Sequence, residues 1–273
     1  MIPKIVTMIL FLVMIPALYA DESGQQFEGF NLQGYGEGGE KSWDVTGETA
    51  DIVGNIIKLT DIVANTYGSD AMNLKAESGS IDRGNDHMHL EKDVVITSKT
   101  GAKMMTDSLD WHKKEDLVTT NDKVVLTDQG MMATGTGATA HPGLKKAKLN
   151  EDVTVKVKSE PTKPGGQDVT ITCDGAMEID QAKSQAIFHD NVVAIQTDRE
   201  LRADQMEVYF DPKTNQIEEM ICLGNVSIKQ GENTTHSEKA VYRAQDQKLT
   251  LSGKPKLILF TEGENSFSSM MGK

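Results

Sequence analysis

Two imidazoles two residues apart, in His87-Met88-His89, would lie on one face of a strand, a geometry that can hold a metal ion. Neither they nor His112, His141, His189 and His236 have a Cys or Glu partner at a recognised ligand spacing, and a turn before Leu90 is the ordinary alternative. The carboxylates of Asp82, Asp110, Asp174 and Asp204 fall at strand or turn positions, where two could face each other across rungs as a glycosidase pair. With 41 acidic residues in the chain, such pairs also arise by chance. Gly34-Tyr35-Gly36-Glu37-Gly38-Gly39 is glycine-rich, but no strand–helix unit follows it, so it reads as a loop and not as a phosphate cradle. No Gly-x-Ser-x-Gly elbow occurs. Cys173 and Cys222 share the parity of apolar stripes, which suits buried thiols; export to an oxidising compartment would also permit a disulfide. The chain therefore reads as non-enzymatic, with no catalytic residue, metal or cofactor assigned.

Composition narrows the class. Hydrophobic residues make up 38% of the 273 and aromatics 5%, so the core must be built from Val, Ile, Leu, Met and Ala. A formal net charge of −13 and the lack of a basic stripe argue against nucleic acid. At the N-terminus, Lys4 precedes an apolar run from Ile5 to Ile15, broken at Pro16 and followed by Ala17-Leu18-Tyr19-Ala20 and then Asp21-Glu22. That is the layout of a signal peptide over residues 1–20, with a membrane anchor as the alternative; either exports the chain.

The elements behind these residues are strands, and they repeat. One phrase recurs as Leu59-Thr60-Asp61-Ile62-Val63, Lys92-Asp93-Val94-Val95-Ile96, Asp122-Lys123-Val124-Val125-Leu126 and Glu151-Asp152-Val153-Thr154-Val155. It continues as Asp190-Asn191-Val192-Val193-Ala194, Gly224-Asn225-Val226-Ser227-Ile228 and Ser252-Gly253-Lys254-Pro255-Lys256-Leu257. The anchors 62, 94, 124, 153, 192, 226 and 255 are 32, 30, 29, 39, 34 and 29 residues apart. A period near 30 predicts stacked β units, each burying its apolar side on the next. Pro255, with no N–H to give a ladder, suits a terminating rung. The run 158–167, with two prolines and two glycines, predicts a linker between blocks at 27–157 and 168–261, ahead of a polar tail at 262–273.

Residues two apart share a strand face. On that basis Met88, Leu90, Val94, Ile96, Val124, Leu126, Leu149, Val153, Val155 and Val157 form one apolar stripe. Ala186, Phe188, Val192, Ala194, Met220, Cys222, Val226, Ile228, Leu249, Leu251, Leu257 and Leu259 continue it in the second block. The opposite face is polar. The stripe is either an ordinary packed core or an apolar trough that accepts acyl chains. In the second case the groove candidates are Met88, Leu90, Val94, Ile96, Val124, Leu126, Val153, Val155, Phe188, Val192, Met220, Val226, Ile228, Leu249, Leu251, Leu257 and Leu259.

Residues 168–260 resemble the OstA-like periplasmic family of lipopolysaccharide transport, the LptA type. The resemblance rests on Leu201-Arg202-Ala203-Asp204-Gln205-Met206-Glu207-Val208-Tyr209, on Ile217 to Ile221, and on Leu223-Gly224-Asn225-Val226-Ser227-Ile228. Ser237-Glu238-Lys239-Ala240-Val241-Tyr242 and Leu249-Thr250-Leu251-Ser252-Gly253-Lys254-Pro255 complete it. Residues 27–157 are similar to the LptC type through Phe30-x-Leu32 with Tyr35, Trp43-x-x-x-Gly47-x-x-Ala50 and Ile57-x-Leu59. The LptC type keeps a membrane helix, whereas this chain has an Ala-x-x-Ala-like site, which leaves anchoring to the inner membrane open.

The resemblance implies an all-β fold, an elongated antiparallel β-jellyroll open along one side. It implies lipopolysaccharide as ligand, with acyl chains in the trough and sugars in water, and no chemistry on the lipid. The partners it implies are other jellyrolls of a periplasmic bridge from the inner-membrane ABC transporter to the outer-membrane assembly protein, with head-to-tail self-association also open. The charge of −13 opposes an anionic headgroup, so acyl chains must dominate binding and basic residues must lie locally near the groove mouth. The competing readings are a secreted adhesive β-solenoid without lipid, and a β-helical polysaccharide-active enzyme.

Overall fold

The computed structural model describes residues 24–36, 38–68, 71–128, 130–158, 168–197, 199–212 and 216–260. The expected export segment, the linker beyond Lys158 and the tail at 262–273 lie outside the described residues. The first block contributes β1 (Gln25–Tyr35), β2 (Lys41–Val53), β3 (Ile56–Thr66), β4 (Met72–Asp82), β5 (His87–Ser98), β6 (Lys103–His112), β7 (Leu117–Asp128), β8 (Met131–His141) and β9 (Lys146–Val157). The second contributes β10 (Val169–Cys173), β11 (Met177–Asp180), β12 (Gln185–Gln196), β13 (Arg199–Phe210), β14 (Ile217–Gln230), β15 (Asn233–Arg243), β16 (Lys248–Ser252) and β17 (Lys256–Ile258). All belong to one 17-stranded sheet.

The topology is a meander. Each strand from β1 to β9 pairs antiparallel with the next. β10 and β11 then share one rung between β9 and β12. The meander resumes through β15, where β16 and β17 share the last rung. The sheet therefore crosses from one block to the other without a break, through Val155↔Ile171 and Leu149↔Met177.

Nearly every strand is bent at its middle, and the sequence shows why. In β5, β7, β9, β12 and β14 the inward residues are spaced two, four, two: Met88, Leu90, Val94, Ile96 is one case and Met220, Cys222, Val226, Ile228 another. In β5, β9, β12 and β14 an extra residue sits in left-handed backbone, with φ of 50° at Asp93, 52° at Asp152, 50° at Asn191 and 44° at Asn225; β7 keeps the spacing without one. Among non-glycine residues, Asp and Asn tolerate that region best, because a short polar side chain can bond locally. The return strands β4, β6, β13 and β15 use a shorter corner, spaced two, three, two, as in Met104, Thr106, Leu109, Trp111. Each is marked by a register shift, as between Lys75 and Ser78. An inserted residue at a bulge bends and twists the strand, so the sheet folds along a line of corners into two facing arms.

Packing confirms the crease. The residue after each corner is buried: Ile62 at 4%, Val94 at 1%, Val124 at 0%, Val153 at 1%, Val192 at 0% and Val226 at 1%. A single open sheet cannot exclude water from one face this well, so the two arms must cover each other. Opposite these β-branched residues stand small ones: Ala76, Thr106, Gly135, Cys173, Ala203 and Ser237. That alternation lets the arms approach at the crease. On the outside, corner side chains bond between rungs, with Asn191 Nδ2 donating to Asp174 at 2.8 Å and Asn225 Nδ2 to Asp204 at 2.9 Å. The result is an antiparallel β-jellyroll built from one folded sheet. Its buried residues form two clusters, Trp43 to Trp111 and Val124 to Ala240, that meet at β6–β7 and share Met104 on their borders.

Asn225→Val should lose both the left-handed preference and the bond to Asp204, lowering stability by roughly 1–3 kcal/mol in urea unfolding. Asn225→Gly keeps the backbone freedom and should fall between that variant and the native protein. Equal midpoints for Val and Gly variants would show that the corner does not depend on φ.

Candidate functional site

The fold places four in-register rows on the inner surface. Two flank the crease, the valine row just described and Leu59–Gly79–Leu90–Leu109 continuing to Leu149–Met177–Phe188–Met206–Cys222–Ala240–Leu251. Two lie nearer the mouth. On one arm the row reads Ala64–Leu74–Ile96–Met104–Leu126–Ala133–Val155–Ile171–Ala194–Leu201–Ile228–Thr235–Leu257. On the other it reads Ile81–Met88–Trp111–Val118–Ala140–Ala147–Ile179–Ala186–Val208–Met220–Tyr242–Leu249. Both run across the junction of the blocks.

The sequence candidates divide by depth. Leu90, Val94, Val124, Val153, Phe188, Val192 and Val226 are buried at the crease and pack as core, and Val155 is buried on the mouth row. Met88, Ile96, Leu126, Met220 and Ile228 are half-buried and pack against that core from the mouth side, and Leu251 is half-buried at the end of the crease-flanking row. Leu249, Leu257 and Leu259 are exposed at the last rung, at 46%, 60% and 49%. Period-2 reading missed most inward residues of the return strands, among them Leu74, Met104, Leu109, Trp111, Leu201 and Met206. A two-residue corner flips parity, so a strict alternation scan loses the stripe there. The two-three-two spacing, seen again in Leu201, Ala203, Met206 and Val208, was the available signal.

Charge is sorted by the same geometry. The exposed corner positions carry Glu77, Glu91, Asp93, Asp107, Glu151, Asp152, Asp174, Asp190, Asp204 and Glu238. Much of the negative charge thus lies on a ridge behind the crease, interrupted by Lys92 and Lys123. The strand ends carry both signs, with Lys99, Lys103, Lys145, Lys183, Arg199 and Lys229 among the bases. Among the described residues Asp44 is the one buried carboxylate; burial would raise its pKa, but hydrogen bonds from Lys41, Asn65 at 2.7 Å and Tyr67 at 2.7 Å outweigh this and hold it below the usual range.

The residues that suggested chemistry are placed as follows. His87 and His89 do share a face, and both meet Asp110 Oδ1, at 2.9 and 2.8 Å. His112 stacks on His87 with ring centroids 4.4 Å apart. This cluster lies on the outer surface, and the imidazoles hold the Asp110 carboxyl low against the opposing effect of burial. Among the described residues no group of three or more His, Cys, Asp and Glu is arranged to hold a metal ion. Asp174 and Asp204 are engaged by Asn191 and Asn225 at the corners, and Asp82 accepts from the Gly84 N–H at 2.8 Å to close a turn. Cys173 and Cys222 are free thiols. Among the described residues no helix is long and apolar enough to cross a membrane.

Comparison with known proteins follows this architecture block by block. Residues 17–158, more than half of the chain, match the profile described as lipopolysaccharide-assembly, LptC-related. The chain belongs to that family. Residues 170–271 match a second profile, LptA/(LptD N-terminal domain) LPS transport protein. The LPS-assembly protein LptD of Vibrio cholerae is 30% identical over 116 residues, covering 42% of this chain and 14% of that protein. The chain thus matches only a small part of that relative's length. LptH of Pseudomonas aeruginosa, described as the LptA homologous periplasmic component of the lipopolysaccharide transport device, aligns over 70% of this chain and 95% of its own, with 12% identity and a TM-score of 0.22. In this LptC-related chain the second profile begins where β10 joins the β9 edge.

Burial pushes the Cys173 thiol up to about 11 and Cys222 up to about 12. Both should stay protonated and unreactive toward a maleimide at pH 8, and both should label fully in denaturant. Rapid native labelling at either position would show that the crease opens.

Proposed function

We propose that this chain carries lipopolysaccharide, taking acyl chains into the trough between its two arms and passing them from the inner-membrane ABC transporter towards the outer membrane. The observation that carries this reading is the mouth row from Ala64 to Leu257. It is apolar almost throughout and in register between the blocks, half-buried at Leu74, Ile96, Met104, Leu126, Ile171, Leu201 and Ile228 and buried at Ala64, Ala133 and Val155. Half-buried apolar side chains in register offer a lipid a contact surface that a filled core does not. Moving hydrocarbon along such a surface avoids re-exposure to water, which costs about 0.8 kcal/mol per CH₂. The carrier does no covalent chemistry, and the corner ridge keeps its carboxylates away from an anionic headgroup.

Edges supply the partner surfaces. Among the described residues β1 pairs with β2 alone, and the β16–β17 rung pairs with β15 alone. The last rung exposes Leu249, Leu257, Leu259 and Phe260, the last at 64%. An unpaired strand with apolar side chains recruits another sheet by strand addition. The N-terminal rung would meet a jellyroll of the inner-membrane complex and the C-terminal rung the next link outward.

Photo-crosslinkers at Ile96, Leu126, Leu201 and Ile228 should capture lipid A, whereas those at their outward neighbours Val95, Val125, Arg202 and Ser227 should not. Equal capture on both faces would sink the trough, and a carrier that purifies and crosslinks without lipid would favour a structural solenoid. Deleting residues 249–273 should leave the first block folded but abolish the outward contact in a pull-down. Retained contact would refute end-to-end assembly.

A further inference from the structure

We propose that the indole N–H of Trp111 is a polar handle for the carbonyl at the head of an acyl chain, an inference that rests on the lipid-trough reading. Trp111 faces inward at the end of β6, the last inward position before the arm reaches the Lys113–Glu115 turn. The residue is 5% exposed, and its Nε1 is buried without a hydrogen-bond partner. Indole is a donor only, and a buried indole N–H ordinarily finds an acceptor. None of its row neighbours can supply an oxygen from its side chain: Met88 and Val118 stand directly opposite it on the adjacent strands, followed by Ala140 and Ala147.

The position of this donor matches one chemical group. Met88 and Val118 are half-buried, so the indole lies at the boundary between core and mouth. Beyond Val118 the row continues in two alanines, Ala140 and Ala147. An acyl chain lying in the trough with its sugar in water places its ester or amide carbonyl at that depth. The carbonyl accepts, the indole donates, and the group that is unpaired in the free protein becomes satisfied only when cargo is present. The second cluster has a weaker echo in Ser237, whose Oγ is likewise buried and unpartnered, but at the bottom of the crease.

The test uses the full chain and two uncharged probes with a laurylated disaccharide form. Sucrose monolaurate has an ester carbonyl at the linkage, and dodecyl maltoside has an ether-type linkage without one. Titrated below their micelle concentrations, the ester probe should bind about fivefold more tightly, the scale of one neutral hydrogen bond. The Trp111 indole signal, separated from that of Trp43 by Trp111→Phe, should move downfield with the ester probe alone. In Trp111→Phe the ratio of the two affinities should fall to about one. A wild-type protein without ester preference, or a Trp111→Phe protein that keeps it, overturns the handle while leaving the trough standing. If neither probe binds, the trough reading falls as well. Should Trp111→Phe not fold, Trp43→Phe identifies the same signal and the indole shift decides.

Discussion

One local constraint, a left-handed polar residue followed by a buried β-branched one, organises the molecule. Asp93–Val94, Asp152–Val153, Asn191–Val192 and Asn225–Val226 are the same device on four of the outgoing strands. The Asp or Asn supplies the backbone conformation that bends the strand, and the Val fills the crease that the bend creates. Small residues on the intervening strands let the valines nest, and outward carboxamide–carboxylate bonds tie neighbouring corners. Without the bend the sheet would be a flat ribbon with an apolar face open to water. The corner is thus the cause of the core, of the inward rows and of the ridge of charge behind them.

The repeat, the all-β class and the inward stripe of the outgoing strands were legible in the sequence, because the corner phrase recurs with little variation. Its meaning was not. Read as a strand fragment, Asp-Asn-Val-Val is merely β-branched; read as a corner, it sets the direction of the chain. The return strands hid more, since Leu201-x-Ala203-x-x-Met206 breaks the alternation that marks a strand face. Depth was also illegible, because Val226 and Ile228 share parity and chemistry yet differ in exposure, one sealed at the crease and one at the mouth. The glycosidase-like pairing of Asp174 and Asp204 with other acids dissolves once their corner bonds to Asn are seen.

For the lipid carrier proposed above, acidity opposes an anionic headgroup. The position of the charge matters here more than its number. Corners need Asp, Asn or Gly for backbone reasons, and they lie outside the crease, so the bend itself places carboxylates at the far side from the mouth. The overall charge of −13 then gives solubility to an elongated sheet with an apolar interior, while the field near the mouth is set by mixed lysine, arginine and acid at the strand ends.

The meander has a consequence for how the molecule comes into being. Every rung pairs with the segment just before it in the chain, so no strand must wait for a distant partner. A polypeptide emerging N-terminus first can close each hairpin on the edge already formed, at a small loop-closure cost per step. Growth is then by accretion, with the β1 edge and the growing edge the two borders open to solvent. Such a chain has only its first strand and its newest one open at any stage, instead of many unpaired strands waiting for distant partners.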